Sequence, residues 1–173
     1  NGATVALIEA GGADNSPWIH IPVGYFRTMG NPKTDWCYKT EADPGLNGRT
    51  IDWPRGKVLG GSSSINGLLY VRGQPQDFDH WRQLGNTGWS WRDVLPYFRR
   101  AENWEGAAAE ERGVGGPLNV SEHKVDREIV EAWLEAATAA GYRRTVDYNR
   151  EDQEGVGYFQ MTMKNGRRCS SAA

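Results

Sequence analysis

The stretch Arg55-Gly56-Lys57-Val58-Leu59-Gly60-Gly61-Ser62-Ser63-Ser64-Ile65-Asn66-Gly67 decides how this 173-residue chain is read. A glycine pair sits between an apolar approach and a hydroxyl-rich start of a helix. Such a start offers backbone N–H groups without intrahelical partners, and glycine lets an anion come close to the main chain. The pattern is that of a phosphate cradle. A flexible Gly/Ser linker has a similar composition. Linkers, however, are not flanked tightly by Val58-Leu59 on one side and Ile65 with Leu68-Leu69-Tyr70-Val71 on the other.

Upstream, Thr4 to Ile8 is wholly apolar and runs into Glu9-Ala10-Gly11-Gly12, which predicts a buried parallel strand followed by a tight turn. In sheets that bind dinucleotides, an acid at the carboxyl end of the second strand accepts hydrogen bonds from the adenosine ribose hydroxyls. Glu9 occupies such a place, although any strand end can carry an exposed glutamate. The glycine-rich turn that belongs about 20 residues before such an acid is not in this sequence. Both ends of the chain read as cut, because it opens at Asn1 almost directly into the apolar run and stops at Ala173 without a closing element.

Between these stretches, residues 17–29 read as irregular loop. Residues 36–41 and 50–53 look extended, with the turn-rich Asp43-Pro44-Gly45-Leu46-Asn47-Gly48 between them. A helix is predicted from Ser62 toward Val71, another from near Asp77 to before Gly85, and a third opened by the capping box Ser90-Trp91-Arg92-Asp93, bending or restarting at Pro96. Residues 106–116, rich in Ala, Glu and Gly, read as a mobile surface loop. The strongest helical pattern covers 126–140, with Ile129, Trp133, Ala136, Ala137 and Ala140 on one face, Asp126 as cap and Gly141 as stop. From Val156 to Met163 residues alternate before the hairpin-type Asn165-Gly166 turn, which predicts an antiparallel strand in another layer.

The formal net charge of −2 creates no field suited to nucleic acid or an acidic membrane surface. Cys37 and Cys169 lack metal-ligand or redox spacing, so neither a metal site nor a disulfide framework is expected, and a reducing compartment fits. No apolar run is long enough to span a bilayer. The 8 tryptophans are expected to fill cores and mark interfaces rather than to bind sugars.

The run Gly56 to Gly73, followed by Asp77-Phe78-Asp79, resembles the first signature of the glucose-methanol-choline (GMC) flavoprotein oxidoreductases throughout its length. Leu7-Ile8-Glu9-Ala10-Gly11-Gly12, Asp35-Trp36 with Tyr38, Gly88-Trp89-Ser90-Trp91, Val94-Leu95-Pro96-Tyr97-Phe98, Gly116-Pro117-Leu118 and Gly166-Arg167-Arg168 also fall where that family has them. The resemblance implies an α/β fold, α+β overall: an FAD-binding dinucleotide-type domain truncated at its first βαβ unit, over residues 1–97, then the beginning of an antiparallel-sheet substrate domain over 98–173. It implies that Glu9 holds the adenosine ribose, that Val58, Gly60, Gly61 and Ser62 line the FAD path, and that Asn66, Gly67, Leu68 and Leu69 pack against the isoalloxazine and its linker. Some choline-oxidising members tether FAD through a histidine just before that asparagine. The residue here is Ile65, so non-covalent FAD is expected.

The implied reaction oxidises the CH–OH group of a small alcohol, choline-like, to the carbonyl, with hydride passing to the flavin and electrons going on to an unassigned acceptor. The family's catalytic base is a histidine far toward the carboxyl end of a much longer chain. His20, His80 and His123 do not match it, so no catalytic residue is expected in this chain, which alone should be inactive. Two rival readings stand beside this one. They are an FAD-containing hydroxynitrile lyase of the same fold, and a non-catalytic nucleotide-binding module with weak flavin affinity and exposed apolar surface. The expected location is the cytoplasm or the periphery of a membrane, without a transmembrane segment and without a nucleic-acid partner.

Overall fold

The computed structural model describes residues 2–150 and 152–172, so the reading of the two ends, which falls on Asn1 and Ala173, lies outside it. The chain divides into two compact units, residues 1–68 with 165–173, and residues 69–164. The sequence-based boundary at residue 97 falls inside the second unit, within the helix Trp91–Ala101.

The first unit is built from very short elements. Residues 17–29 are not irregular, since they form the helices Pro17–His20 and Tyr25–Thr28 with the 3-10 turn Pro22–Gly24 between them. Pro17 and Pro22 each open a turn, a place where the missing proline N–H forfeits no hydrogen bond. Tyr38–Lys39 pairs antiparallel with Asp52–Trp53, in the register Tyr38 to Trp53, and the turn between them is closed by Asp43 accepting from Gly45 N–H and by Asn47 in the left-handed region. Buried Ile19, Val58 and Ile65 form the core of this unit.

Asp35, 2% exposed, braces the approach to the glycine pair. Its carboxylate accepts the N–H groups of Gly30 (2.7 Å), Cys37 (3.0 Å) and Arg55 (2.9 Å). Burial alone pushes its pKa up. The three N–H donors and the positive charge of Arg55 outweigh that and hold the carboxyl below the ordinary aspartate value.

The predicted opening strand does not form. Residues 4–8 take no strand conformation, and Val5, Leu7 and Ile8 are 85%, 79% and 92% exposed. A parallel strand draws its stability from neighbours on both edges and layers on both faces. Among the described residues this run has only a parallel bridge just beyond it, Gly12 to Val58.

In the second unit, Gln160–Met161 is a strand, as the alternation after Val156 predicts, and its antiparallel partner is Leu69–Tyr70, where a helix was expected. The pair Glu102–Trp104 with Leu118–Val120 is parallel, which the sequence did not announce. Helix Pro75–Gln83 begins with Asp77 accepting from Gln74 N–H, and helix Trp91–Ala101 with Asp93 accepting from Ser90 N–H. The second helix runs through Pro96 as one element. Helix Glu128–Ala139 buries Leu134, whereas Ile129 and Trp133 stand exposed, so the face picked from the sequence is outward. Trp104 is buried, but Trp18, Trp36, Trp53, Trp81, Trp89 and Trp133 are substantially exposed.

The centre of this second unit is ionic rather than apolar. Glu102 is 0% exposed and pairs with Arg72 (2.7 Å) and Arg112 (2.9 Å), and Arg112 lies 3.3 Å from Asp147. The guanidinium of Arg112 also sits 3.9 Å from the ring centroid of Trp104. Gly113 N–H donates to Glu102 at 2.8 Å, so the segment 106–116 is pinned at Arg112 and Gly113 instead of hanging as a loose loop. No helix among the described residues is long and apolar enough to cross a membrane. None of their His, Cys, Asp and Glu side chains gather into a group able to hold a metal.

Candidate functional site

Serine hydroxyls act early in the 55–68 segment and stop the predicted helix. Ser63 Oγ donates to Gly60 O (2.6 Å) and Ser64 Oγ to Leu59 O (2.7 Å), while Gly61 N–H donates to Val58 O (2.7 Å). These bonds back to the chain compete with helix propagation. The result is a single 3-10 turn, Gly61–Ser64, entered through two left-handed residues, Gly60 (φ 87°) and Gly61 (φ 55°). Asn66 Oδ1 then accepts from Leu68 N–H (3.0 Å), Leu68 takes φ 65°, and the chain leaves as the strand Leu69–Tyr70 instead of the helix expected to Val71.

The turn lies directly against the end of the opening run. Leu59 N–H donates to Gly12 O at 2.9 Å. A Cβ on Gly11 would stand 2.0 Å from Lys57 O, so only glycine permits this approach. Glu9 sits two residues before that contact, exposed, with Oε1 accepting from Gly11 N–H at 2.7 Å.

Beside the turn is a largely apolar hollow of about 490 Å³, whose lining includes Ile51, Trp53, Pro54, Ser62, Ile65 and Asn66. Of the residues expected at the site, Glu9, Val58, Gly60, Gly61, Ser62, Asn66, Gly67 and Leu68 all belong to the first unit. Leu69, 56% exposed, opens the second. Val58 and Leu68 are buried, each 1% exposed, so they support the turn from within and present backbone rather than side chain.

Sequence reasoning missed Arg168, noting it only within Gly166-Arg167-Arg168. It is 5% exposed, and its guanidinium donates to four oxygens of this unit: Ile19 O (2.8 Å), Ser63 O (3.0 Å), Asn66 Oδ1 (2.7 Å) and Asn66 O (2.8 Å). Burial pulls its pKa down. The basic pair after a hairpin turn was the available signal, but nothing in spacing reveals that one of two adjacent arginines turns inward. The histidines lie elsewhere. His20 contacts Asp14 O at 2.7 Å, His123 contacts Asp126 and stacks on Tyr158, and none lines the hollow.

A flat, polyanionic cofactor fits this arrangement. A trans peptide points its N–H opposite its carbonyl. Leu59 O is taken up by Ser64 Oγ, which directs the Gly60 N–H the opposite way, and the apolar hollow beside the turn is lined by Ser62, Ile65 and Asn66. A Cβ on Gly12 or Gly67 would meet no atom within 4 Å, so packing within the chain does not demand glycine at either place.

Known proteins resemble this chain in sequence and in fold. The chain is 48% identical over 169 residues to an oxygen-dependent choline dehydrogenase of Brucella ovis and 46% identical to one of Rhizobium etli, covering 98% of this chain and 31% of each relative. Among solved structures, a pyridoxine 4-oxidase superposes with a TM-score of 0.90 at 33% identity, over 96% of this chain and 33% of that one. An FAD-dependent oxidoreductase from Chaetomium thermophilum superposes with a TM-score of 0.80 at 30% identity, over 94% and 30%. The chain thus spans about a third of the length of the curated relatives it matches. With the family pattern matched over residues 3–173, nearly end to end, and the glycine-serine turn built as described, this chain belongs to the GMC oxidoreductases.

Proposed function

We propose that these residues form the cofactor-binding part, and the beginning of the substrate part, of an FAD-dependent enzyme that oxidises the CH–OH group of a small, choline-like alcohol to the carbonyl. The observation that carries this reading is the turn Val58–Ser64 folded against Gly11–Gly12, two residues beyond Glu9. When bound, FAD supplies the hydride acceptor.

The chain's own residues bind and orient. Glu9, turned by its bond to Gly11 N–H, accepts the ribose hydroxyls. The backbone N–H groups of Gly60 and Ser62 face the diphosphate, with Val58 beneath them, while the Gly61 N–H is kept by Val58 O and Gly61 lines the path through its bare Cα. Asn66, Gly67, Leu68 and Leu69 flank the ring system. Ile65 is 2% exposed within the apolar core and carries no nucleophile, which supports a non-covalently held flavin. The proton of the alcohol is taken by a base outside these residues, since no histidine lines the hollow. The names of the relatives favour oxidation over the lyase reading, because those reported above are dehydrogenases, oxidases or oxidoreductases.

The test uses the full-length polypeptide that contains this sequence. It should purify yellow, release intact FAD on denaturation, and lose its flavin colour when choline or a related alcohol is added without oxygen. A protein that takes up no flavin refutes the cofactor assignment. A flavoprotein that no alcohol bleaches refutes the reaction.

A further inference from the structure

We propose that Arg168 is a positioning residue that fixes the side-chain amide of Asn66 with its oxygen inward and its NH₂ end toward the hollow. The proposal rests on the reading that a flavin ring lies beside Asn66. It adds what decides which end of that amide the ring meets.

An asparagine amide can present either an acceptor or a donor after a half-turn about its last bond, and the two differ little in shape. Here the choice is forced. Asn66 Oδ1 accepts from Arg168 Nη1 at 2.7 Å and from Leu68 N–H at 3.0 Å. A flipped amide would set its NH₂ against two N–H donors, both within hydrogen-bond distance. The backbone is held by the same group, because Arg168 Nη2 donates to Asn66 O at 2.8 Å.

The guanidinium is itself anchored, with Nε donating to Ile19 O and Nη1 also to Ser63 O, the latter inside the 3-10 turn. All four acceptors are neutral oxygens, so the positive charge is not cancelled by a carboxylate among these partners. Bonding to a cation polarises the Asn66 amide and makes its N–H a stronger donor. Asn66 lines the hollow with Ser62 and Ile65. A donor there favours a ligand in its more negative form, and a two-electron-reduced flavin carries more negative charge than the oxidised one.

The experiment is a double-mutant cycle in the full-length flavoprotein with R168M, N66A and the double variant, reading the FAD dissociation constant and the flavin midpoint potential, with thermal unfolding in parallel. R168M is expected to weaken FAD binding about tenfold. It should disfavour the reduced form by about a further tenfold, which a two-electron couple reads as about 30 mV more negative. In the N66A background the same change should leave the potential where N66A alone puts it, because Arg168 acts through Asn66.

Should R168M fail to fold, R168K serves in the same cycle: it keeps the charge but cannot supply the planar fork, and is expected to lower the potential part of the way. Additive effects on potential overturn the proposal, as does an unchanged potential with only a lowered unfolding temperature, which marks a purely structural arginine. A wild-type protein without flavin removes the underlying site reading, and this inference with it. That result is told apart from the others before any variant is made.

Discussion

Replacing Asp35 by asparagine changes one atom's chemistry at the brace behind the glycine turn. Asp35 Oδ1 accepts from Cys37 N–H and Arg55 N–H, and Oδ2 from Gly30 N–H. Asparagine can keep its oxygen on the side with two donors, but its NH₂ then faces Gly30 N–H across the former 2.7 Å bond. Losing a bond to a charged acceptor and stranding a buried donor together cost about 2–4 kcal/mol. With a urea dependence of about 2 kcal/mol per molar, the unfolding midpoint at neutral pH should fall by about 1–2 M.

The difference between the two proteins should itself depend on pH. The native carboxyl is held below the ordinary 3.8, so its stabilisation is complete above that value and is lost as pH falls through the depressed native pKa. Urea midpoints measured from neutrality down into that acid range should therefore converge for wild type and D35N. A midpoint shift under about 0.3 M at neutral pH, close to the error of such fits, or a gap that stays constant into acid, would refute the reasoning.

The remaining predictions address other parts of the chain. Glu102→Gln leaves two buried guanidinium groups short of their counter-ion, and should destabilise the protein by about 3–5 kcal/mol in denaturant titration; a loss below about 1 kcal/mol contradicts the ionic centre. Gly11→Ala drives a methyl into Lys57 O, and should cost about 1–3 kcal/mol and at least several-fold in FAD affinity by fluorescence titration. Leu7→Lys, at a position 79% exposed, should change the stability of this chain by no more than about 0.5 kcal/mol while raising its solubility. A large destabilisation there would mean that the opening run is packed after all.

Features governed by contacts close in sequence were the legible ones. The capping box ending at Asp93, the Asn165-Gly166 turn with φ of 50° and 74°, and the strand at Gln160–Met161 follow from neighbouring residues or simple alternation, whereas its partner Leu69–Tyr70 was expected within a helix. The glycine pair was legible because its left-handed backbone needs glycine. The illegible features depend on partners far along the chain. Thr4 to Ile8 has the composition of a buried strand but lacks strand neighbours among the described residues. Ile129 and Trp133 form an apolar stripe, yet Leu134 is the side chain that packs inward. Arg72, Arg112 and Arg168 look like surface charge until their acceptors, ten or more residues away, are seen. At the candidate site, the glycine pair and Glu9 drew notice in the sequence, whereas the short turn in place of a helix and the arginine that braces it did not.

Leu68 carries two demands that pull apart. Its backbone is left-handed at φ 65°, which penalises any residue with a Cβ by about 1–2 kcal/mol, while its side chain is 1% exposed. Glycine would relax the backbone but forfeit roughly 2–5 kcal/mol of buried leucine, and asparagine would tolerate the conformation but bury an amide in place of an alkyl chain. Both exchanges therefore give up more than they recover. Leucine at this place thus answers to the path of the chain rather than to the chemistry beside it.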